Sequence, residues 1–482
     1  MSRVLAAIKA KAAASPTAPA LSNEGRNWSY ADLDAEIDRA ADALARFAPN
    51  ARTVAPVAVR LDNGPAWVIL DLALVRLGWP SLPIPGFFTA DQCAHALSDA
   101  GAGLLIAAEP GAPDLTIAGL ALSVTPINLP PVSLPPCTAK ITYTSGSTGR
   151  PKGVCLSQDQ MEAVAASIVE VIGADYGGRH LPLLPLAVLL ENVAGLYASL
   201  LAGGEYHALA QADVGLGDPF KPDLKQLASA IAGSGATSLI LVPELLRAIL
   251  MLMAFTGRRF PNLNLVAVGG AKVAEELLRQ ADAVGLPVYE GYGLSECASV
   301  VALNTPTARK TGAVGRPLPH VDVSISPEGE VVVGPAPFLG YAGGALCGGP
   351  WRTGDLGRMD AGGFLFVDGR RDSLIITAFG RNISPEWVES ELLAQPQIRQ
   401  AIVFDDGAHG LAALIVPLVA DLDDIAIGAA VDRANLRLPA YAQVARWHGR
   451  GPLEPALGEV TGNGRPRRAA VIAIHRLVEA AE

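Results

Sequence analysis

Cysteine is scarce and scattered in this sequence: Cys93, Cys137, Cys155, Cys297 and Cys347 are odd in number and show no CxxC spacing. That argues against a disulfide framework or a thiolate zinc site and fits a reducing compartment. The seven histidines, His95, His180, His207, His320, His409, His448 and His475, show no metal-ligand spacing, and no role is assigned to them. Positive charge is also in deficit. With 37 Lys+Arg against 47 Asp+Glu, the net charge of −10 argues against a general nucleic-acid or anionic-membrane surface. Uninterrupted apolar runs are missing as well. Glu191 and Asn192 split residues 181–201, and Glu244 and Arg247 split 238–255, so neither matches a membrane span of about 20 residues. The N-terminal "MSRVLAAIKAKAAASPTAPA" lacks an apolar core of signal-peptide length before its lysines. A soluble, cytoplasmic protein is the expectation.

What is present is apolar surface. Half of the 482 residues are hydrophobic, enough for a large core, and the length implies two or more domains. The 50 glycines and 37 prolines lie among apolar runs and so mark turns rather than disorder. "WSYADLDAEIDRAADALARF", from residue 28, carries apolar positions at helical spacing behind a capping Ser29. "TVAPVAVRL", "AGLLIAA", "SLILV" and "LNLVAVGG" read as short buried strands, and "PAWVILDLALVRLG" as a buried helix ended by glycine. Strands alternating with helices predict α/β layering with largely parallel, buried sheet. After about residue 312 the texture changes to short strands and turns, such as "VDVSI", "GEVVVG" and "GGFLFVDG". A boundary is expected at "DGRRD", separating a large N-terminal domain, residues 1–368, from a small α+β C-terminal one, residues 369–482. In the latter, "SPEWVESELLA" reads as a capped helix and "QAIVFDDGAHGLAALIVPLV" as two strands joined by a glycine turn.

The most informative stretch is "ITYTSGSTGRPKGVCLS", residues 141–157. Backbone N–H groups around the glycines, with the hydroxyls of Thr144, Ser145, Ser147 and Thr148, form a nest for anionic oxygens. Lys152 adds a compact charge suited to phosphate. The loop is not a Walker motif, because Pro151 stands where the second glycine belongs and Gly153 follows the lysine. A mobile surface turn is the plainer reading of the same cluster.

Three further stretches follow in order: "YEGYGLSE" (289–296), "WRTGDLG" (351–357) and "DGRRDSLIITAFGRNISPEWVE" (368–389). With the loop, and with "GEVVVGPAPFLGY" between them, they resemble the adenylate-forming superfamily of acyl-CoA synthetases, aryl-CoA ligases and peptide-synthetase adenylation domains. The resemblance spans essentially the whole chain, and four ordered motifs are far more specific than one. It implies ATP and Mg²⁺ as cofactors, with phosphates held by Thr144, Ser145, Gly146, Ser147, Thr148, Gly149 and Lys152. Tyr292 would pack on adenine, with Gly269, Gly270 and Ala271 on the other side and Glu290, Gly291 and Gly293 in the same segment. Ser295 would touch the α-phosphate, and Glu296 would carry the metal. Asp355 would accept the ribose hydroxyls and Arg370 would help clamp the sugar. Asp372 would be the hinge of a mobile C-terminal domain, and Gly380 part of a tunnel for the thiol of CoA or of a phosphopantetheine arm. The plainer alternatives are a core tyrosine, a turn aspartate before glycine and an ordinary linker residue.

The sequence departs from the family pattern in two places. A lysine near the C-terminus usually bridges carboxylate and ATP, yet no lysine follows Lys310, and the matching "TGNGRPRR" offers Arg465. Arginine keeps the charge but presents a planar fork. Either it does the lysine's work or the first half-reaction is weak; a solvated basic tail also accounts for Arg467 and Arg468. Second, "LPLAVLLENVAGLYASLLAGG" resembles the long-chain acyl-CoA synthetase segment, with Val188 where a histidine usually sits, and no FDxS-type motif for an α-amino group is found. The expected function is an ATP-dependent acid–thiol ligase for a hydrophobic fatty or aryl acid, with CoA or a carrier protein as acceptor. The alternatives are an acyl-AMP ligase that hands its product on, and a nucleotide-binding homologue without catalysis.

Overall fold

The computed structural model describes residues 2–47, 55–108, 113–144, 151–218, 221–376, 382–407, 410–461 and 465–479. Among them the predicted α/β layering takes the form of two large mixed sheets. In the first, Glu205–His207, Arg179–His180, Ser238–Leu241, Leu265–Val268 and Val288–Leu294 run parallel, in that order across the sheet. Ser299–Leu303 returns antiparallel beside Val288–Leu294. In the second, Lys140–Thr144, Ser81–Pro83, Val57–Arg60 and Leu104–Ala107 are parallel neighbours. Lys152–Leu156 and Gly340–Tyr341 extend that sheet antiparallel on one side. All four residues of Ser238–Leu241 are buried, as a strand covered on both faces requires.

Local signals set the helices. Ser29 and Asp32 form a reciprocal capping box at the start of Tyr30–Ala45. Pro65 opens Pro65–Leu77, and Gly78 closes it with φ +65°, a left-handed conformation that costs glycine little. Residues Pro65 to Leu74 are all buried, so this helix is covered on every side.

The polar residues that interrupt the apolar run at 181–201 are also inside. Leu190–Tyr197 is a π-helix, a rare wider turn found frequently at functional sites. Its Glu191, fully buried, accepts from Tyr206 Oη (3.0 Å) and bonds His180 Nε2 (2.9 Å). Its Asn192 joins a second network around Lys140, whose Nζ lies 2.7 Å from Asp71 and whose charge burial disfavours, with Asp71 opposing that effect. Lys140 begins the strand that ends at Thr144, so this buried pair anchors the base of the candidate phosphate loop.

A four-stranded antiparallel sheet follows: Asp322–Ile325, Glu330–Gly334, Trp351–Met359 and Leu365–Arg370. The C-terminal part has its own core, in which Ile383, Val388, Val403, Ile415 and Val431 pack between the sheet Ile398–Asp405, Leu411–Pro417, Val444–Gly449 and its helices. It docks on the large part through arginines. Arg247, on the helix Pro243–Thr256, donates to the carbonyls of Leu393 (2.9 Å), Ile398 (2.8 Å) and Arg399 (3.2 Å). Arg437 bridges Glu391 and Glu276.

Candidate active site

The site is built largely on strands. Asp355 lies on Trp351–Met359 and is the register partner of Arg370 on the neighbouring strand. Its buried carboxylate accepts from Tyr292 Oη at 2.5 Å and lies 3.1 Å from Arg370 Nε. Burial raises the carboxyl's proton affinity and the Arg370 charge lowers it; burial and the adjacent carboxylate push the Tyr292 phenol well up. Thr353 braces the turn, its hydroxyl donating to Val331 O and accepting from Asp355 N, while Arg370 Nη1 donates to Thr353 O (2.8 Å). Glu330 accepts from Gly354 N and from Arg352 and Arg371.

Tyr292 sits in Val288–Leu294 among glycines. A Cβ on Gly293 would stand 1.7 Å from Ser299 O, so the antiparallel return strand requires glycine there. Ser295 and Glu296 follow in a single 3₁₀ turn, Ser295–Cys297. Glu296 Oε1 accepts from Tyr341 Oη at 3.0 Å. Lys152 Nζ lies 5.4 Å from the centroid of the same tyrosine ring. Thr144 and Lys152 are register partners across the mouth of the hairpin that the loop closes. The loop residues Ser145, Gly146, Ser147, Thr148 and Gly149 lie outside the described residues, as does Gly380.

Gly269 and Gly270 form the turn after Leu265–Val268. Gly270 has φ +84°, and its carbonyl accepts from Arg465 Nη2 at 2.9 Å. The C-terminal part thus delivers its arginine to the glycine turn, beside exposed Ala271. One strand over, Glu290 is buried, and burial pushes it up to about 7 against the opposing charge of Lys272. Asp372 is exposed in the turn Arg371–Ser373, 3.7 Å from Arg371 Nε.

Residues expected one by one are thus brought together in three sets: Tyr292, Asp355 and Arg370; Thr144 and Lys152, linked to Glu296 through Tyr341; and Gly270 with Arg465. Reading the sequence missed Tyr341, Thr353, Glu330 and Lys272. Tyr341 was within a quoted motif, but an aromatic after glycine does not announce which carboxylate it will reach. No helix among the described residues is long and apolar enough to cross a membrane.

Residues 8–347 match the model of the AMP-binding enzyme family, and the chain belongs to that family. It is an adenylate-forming enzyme. A long-chain-fatty-acid–CoA ligase of Mycobacterium bovis is 29% identical over 438 residues, covering 72% of this chain and 70% of that protein. A solved anthranilate CoA ligase in complex with anthranoyl-AMP superposes with a TM-score of 0.83 at 18% identity, over 100% of this chain and 98% of that one. The o-succinylbenzoate CoA synthetase of Bacillus subtilis, in complex with ATP and magnesium, superposes with a TM-score of 0.75 at 24% identity, over 97% and 99%.

Proposed function

We propose that the protein activates a hydrophobic carboxylic acid with ATP and transfers the acyl group to a thiol, CoA being the first choice and a carrier-protein phosphopantetheine arm the second. The observation that carries this reading is the convergence at Asp355, where a buried carboxylate is oriented by Tyr292 and Arg370. An acceptor so placed suits the paired hydroxyls of a ribose. Tyr292 and the Gly269–Gly270 turn then bracket the base, and Lys152 with Thr144 faces the phosphates. These residues fit a nucleotide, since they supply a flat ring, a close-approach backbone and a cation.

The donor set also fits Mg²⁺. Among the described residues no group of three or more His, Cys, Asp or Glu could hold a metal, so no all-protein cage is available. A single carboxylate, Glu296, suits an ion that keeps several waters and shares phosphate oxygens. Bound there, the ion would neutralise charge on the phosphates.

In the first half-reaction an oxygen of the acid's carboxylate attacks the α-phosphorus, the bond to the bridging oxygen breaks and pyrophosphate leaves. Lys152, Ser295 and Arg465 stabilise the charge on the phosphoryl oxygens, and the remaining work is positioning. In the second half, the thiol sulfur attacks the acyl carbon, AMP leaves and the thiol proton is released. The C-terminal domain, residues 369–482, turns about Asp372 between the halves and brings the Gly380 segment to the thiol. Half-buried Val188, where related enzymes usually carry histidine, supports an apolar acid, fatty or aryl. The relatives' own acids, a long-chain fatty acid, anthranilate and o-succinylbenzoate, fall in the same classes.

The test is pyrophosphate release with Mg-ATP across fatty, aryl and amino acids, with and without CoA. Release that depends on a fatty or aryl acid, with thioester formed when CoA is added, is expected. Release only with amino acids, or none with any acid despite ATP binding, would overturn the reading.

A further inference from the structure

Tyr341 lies in a quoted motif that gave it no role, yet it touches three pieces of the site. Its strand, Gly340–Tyr341, pairs antiparallel with Lys152–Leu156, placing Tyr341 opposite Val154. Main-chain bonds on either side, Leu339 N to Cys155 O (3.0 Å) and Ala342 N to Gly153 O (2.8 Å), fix it against that strand. Gly340, at φ +136°, turns the chain so tightly that a Cβ would stand 2.5 Å from Ala345 O. The ring is wedged edge-on against Phe338 (centroids 5.2 Å apart) and Trp351 (6.2 Å), and Trp351 begins the strand that carries Asp355. The ring is therefore held from below by packing and from the side by the sheet.

Its two remaining features both point into the site. The hydroxyl donates to Glu296 Oε1 at 3.0 Å, which takes one carboxylate oxygen and orients the other. The ring's π-face carries Lys152 Nζ at 5.4 Å, within the range of a cation–π contact. One rigid side chain thus sets the position of the carboxylate and of the cation. Without it, the two would repel or attract other partners according to their own rotamers.

We infer that Tyr341 is a positioning residue that fixes Glu296 and Lys152 relative to one another, and so sets the metal-dependent grip on the nucleotide's phosphates. The inference rests on the ligase reading of the site. It predicts separable effects: the hydroxyl acts through the metal carboxylate, and the ring acts through the lysine.

The test is titration calorimetry of ATP binding to the full chain, once in Mg²⁺ and once in EDTA. Tyr341→Phe keeps the ring and its packing. It is expected to weaken binding about 10-fold in Mg²⁺ and to leave binding in EDTA unchanged. Tyr341→Leu is expected to lose roughly 3-fold more, and to lose it in EDTA as well, because Lys152 has lost its ring. In a Glu296→Gln background, Tyr341→Phe is expected to have no further effect. A purely structural tyrosine would move both titrations equally. Equal loss in Mg²⁺ and EDTA, no loss in either, or failure of Tyr341→Phe to fold would each overturn the inference. If the unaltered protein binds Mg-ATP and Tyr341→Phe behaves like it, only this inference falls. If the unaltered protein binds no Mg-ATP, the ligase reading falls with it.

Discussion

The two ends of the candidate site are held by opposite means. At the Asp355 end every group stands on a strand, and sheet register puts Asp355 opposite Arg370. At the Arg465 end the guanidinium arrives from the C-terminal part and donates, among the described residues, to a backbone carbonyl, Gly270 O. The first arrangement needs a whole sheet to change before it loosens. The second is a set of arginine-to-carbonyl and arginine-to-carboxylate contacts, Arg465, Arg247 and Arg437, that can break together while both cores stay intact. Rigidity belongs where a nucleotide must be oriented, and breakable polar contacts suit a part that is proposed to turn.

The comparison can be broken most severely at the sheet end. Asp355→Ala removes the acceptor of Tyr292 and Arg370 together. Nucleotide affinity is expected to fall about 100-fold, on the order of 3 kcal/mol for lost charged hydrogen bonds. An unchanged Kd would remove Asp355 from the site. Smaller, and specific in its pH dependence, is Glu290→Gln. The folded carboxyl sits up at about 7 against an ordinary 4.5. The unfolded chain therefore releases this proton first as pH rises. The stability linked to the group is fully present below about 4.5 and is lost as pH climbs through about 7. Glu290→Gln should accordingly gain about 2 kcal/mol on the native protein between pH 5 and pH 8. Parallel unfolding curves for the two proteins at both pH values would contradict the buried-carboxyl account.

The Arg465 end is expected to respond in rate rather than stability. Arg465→Ala should cut pyrophosphate release roughly 10-fold more than thioester formation from supplied acyl-AMP. Equal losses in both half-reactions would argue that Arg465 is not tied to the first. The smallest effect is expected from Arg247→Ala. Hydrogen–deuterium exchange should quicken around residues 393–399, which lose a donor to three carbonyls, while the strand Trp351–Met359 keeps its protection. Faster exchange in both would mean that the two ends are one cooperative unit.

Much of this was legible in the chain. The capping box at Ser29, the Pro65 to Gly78 helix and the short buried strands are local statements, made by residues within a few positions of one another. The ordered motifs likewise named Asp355, Arg370 and Tyr292, through their resemblance to a known family, whereas Lys152 also stood out beside a run of glycines and hydroxyls. The π-helix at Leu190–Tyr197 was not legible. Its Glu191 and Asn192 looked like interruptions of an apolar run, and only the positions of His180, Tyr206 and Lys140 make them tolerable inside. Tyr341 was hidden for the same reason, since its partners lie 45 and 189 positions away in sequence, at Glu296 and Lys152.

The sequence by itself determined most of the segments that become strand or helix, and where glycine and hydroxyl groups cluster into a candidate phosphate loop. Those outcomes depend on short-range sterics and periodicity. Only the tertiary structure decided which carboxylate meets which cation, which polar residues are buried in pairs, and where the C-terminal arginines land. Contacts between distant segments depend on how two sheets and the C-terminal part pack, and no residue carries that information alone.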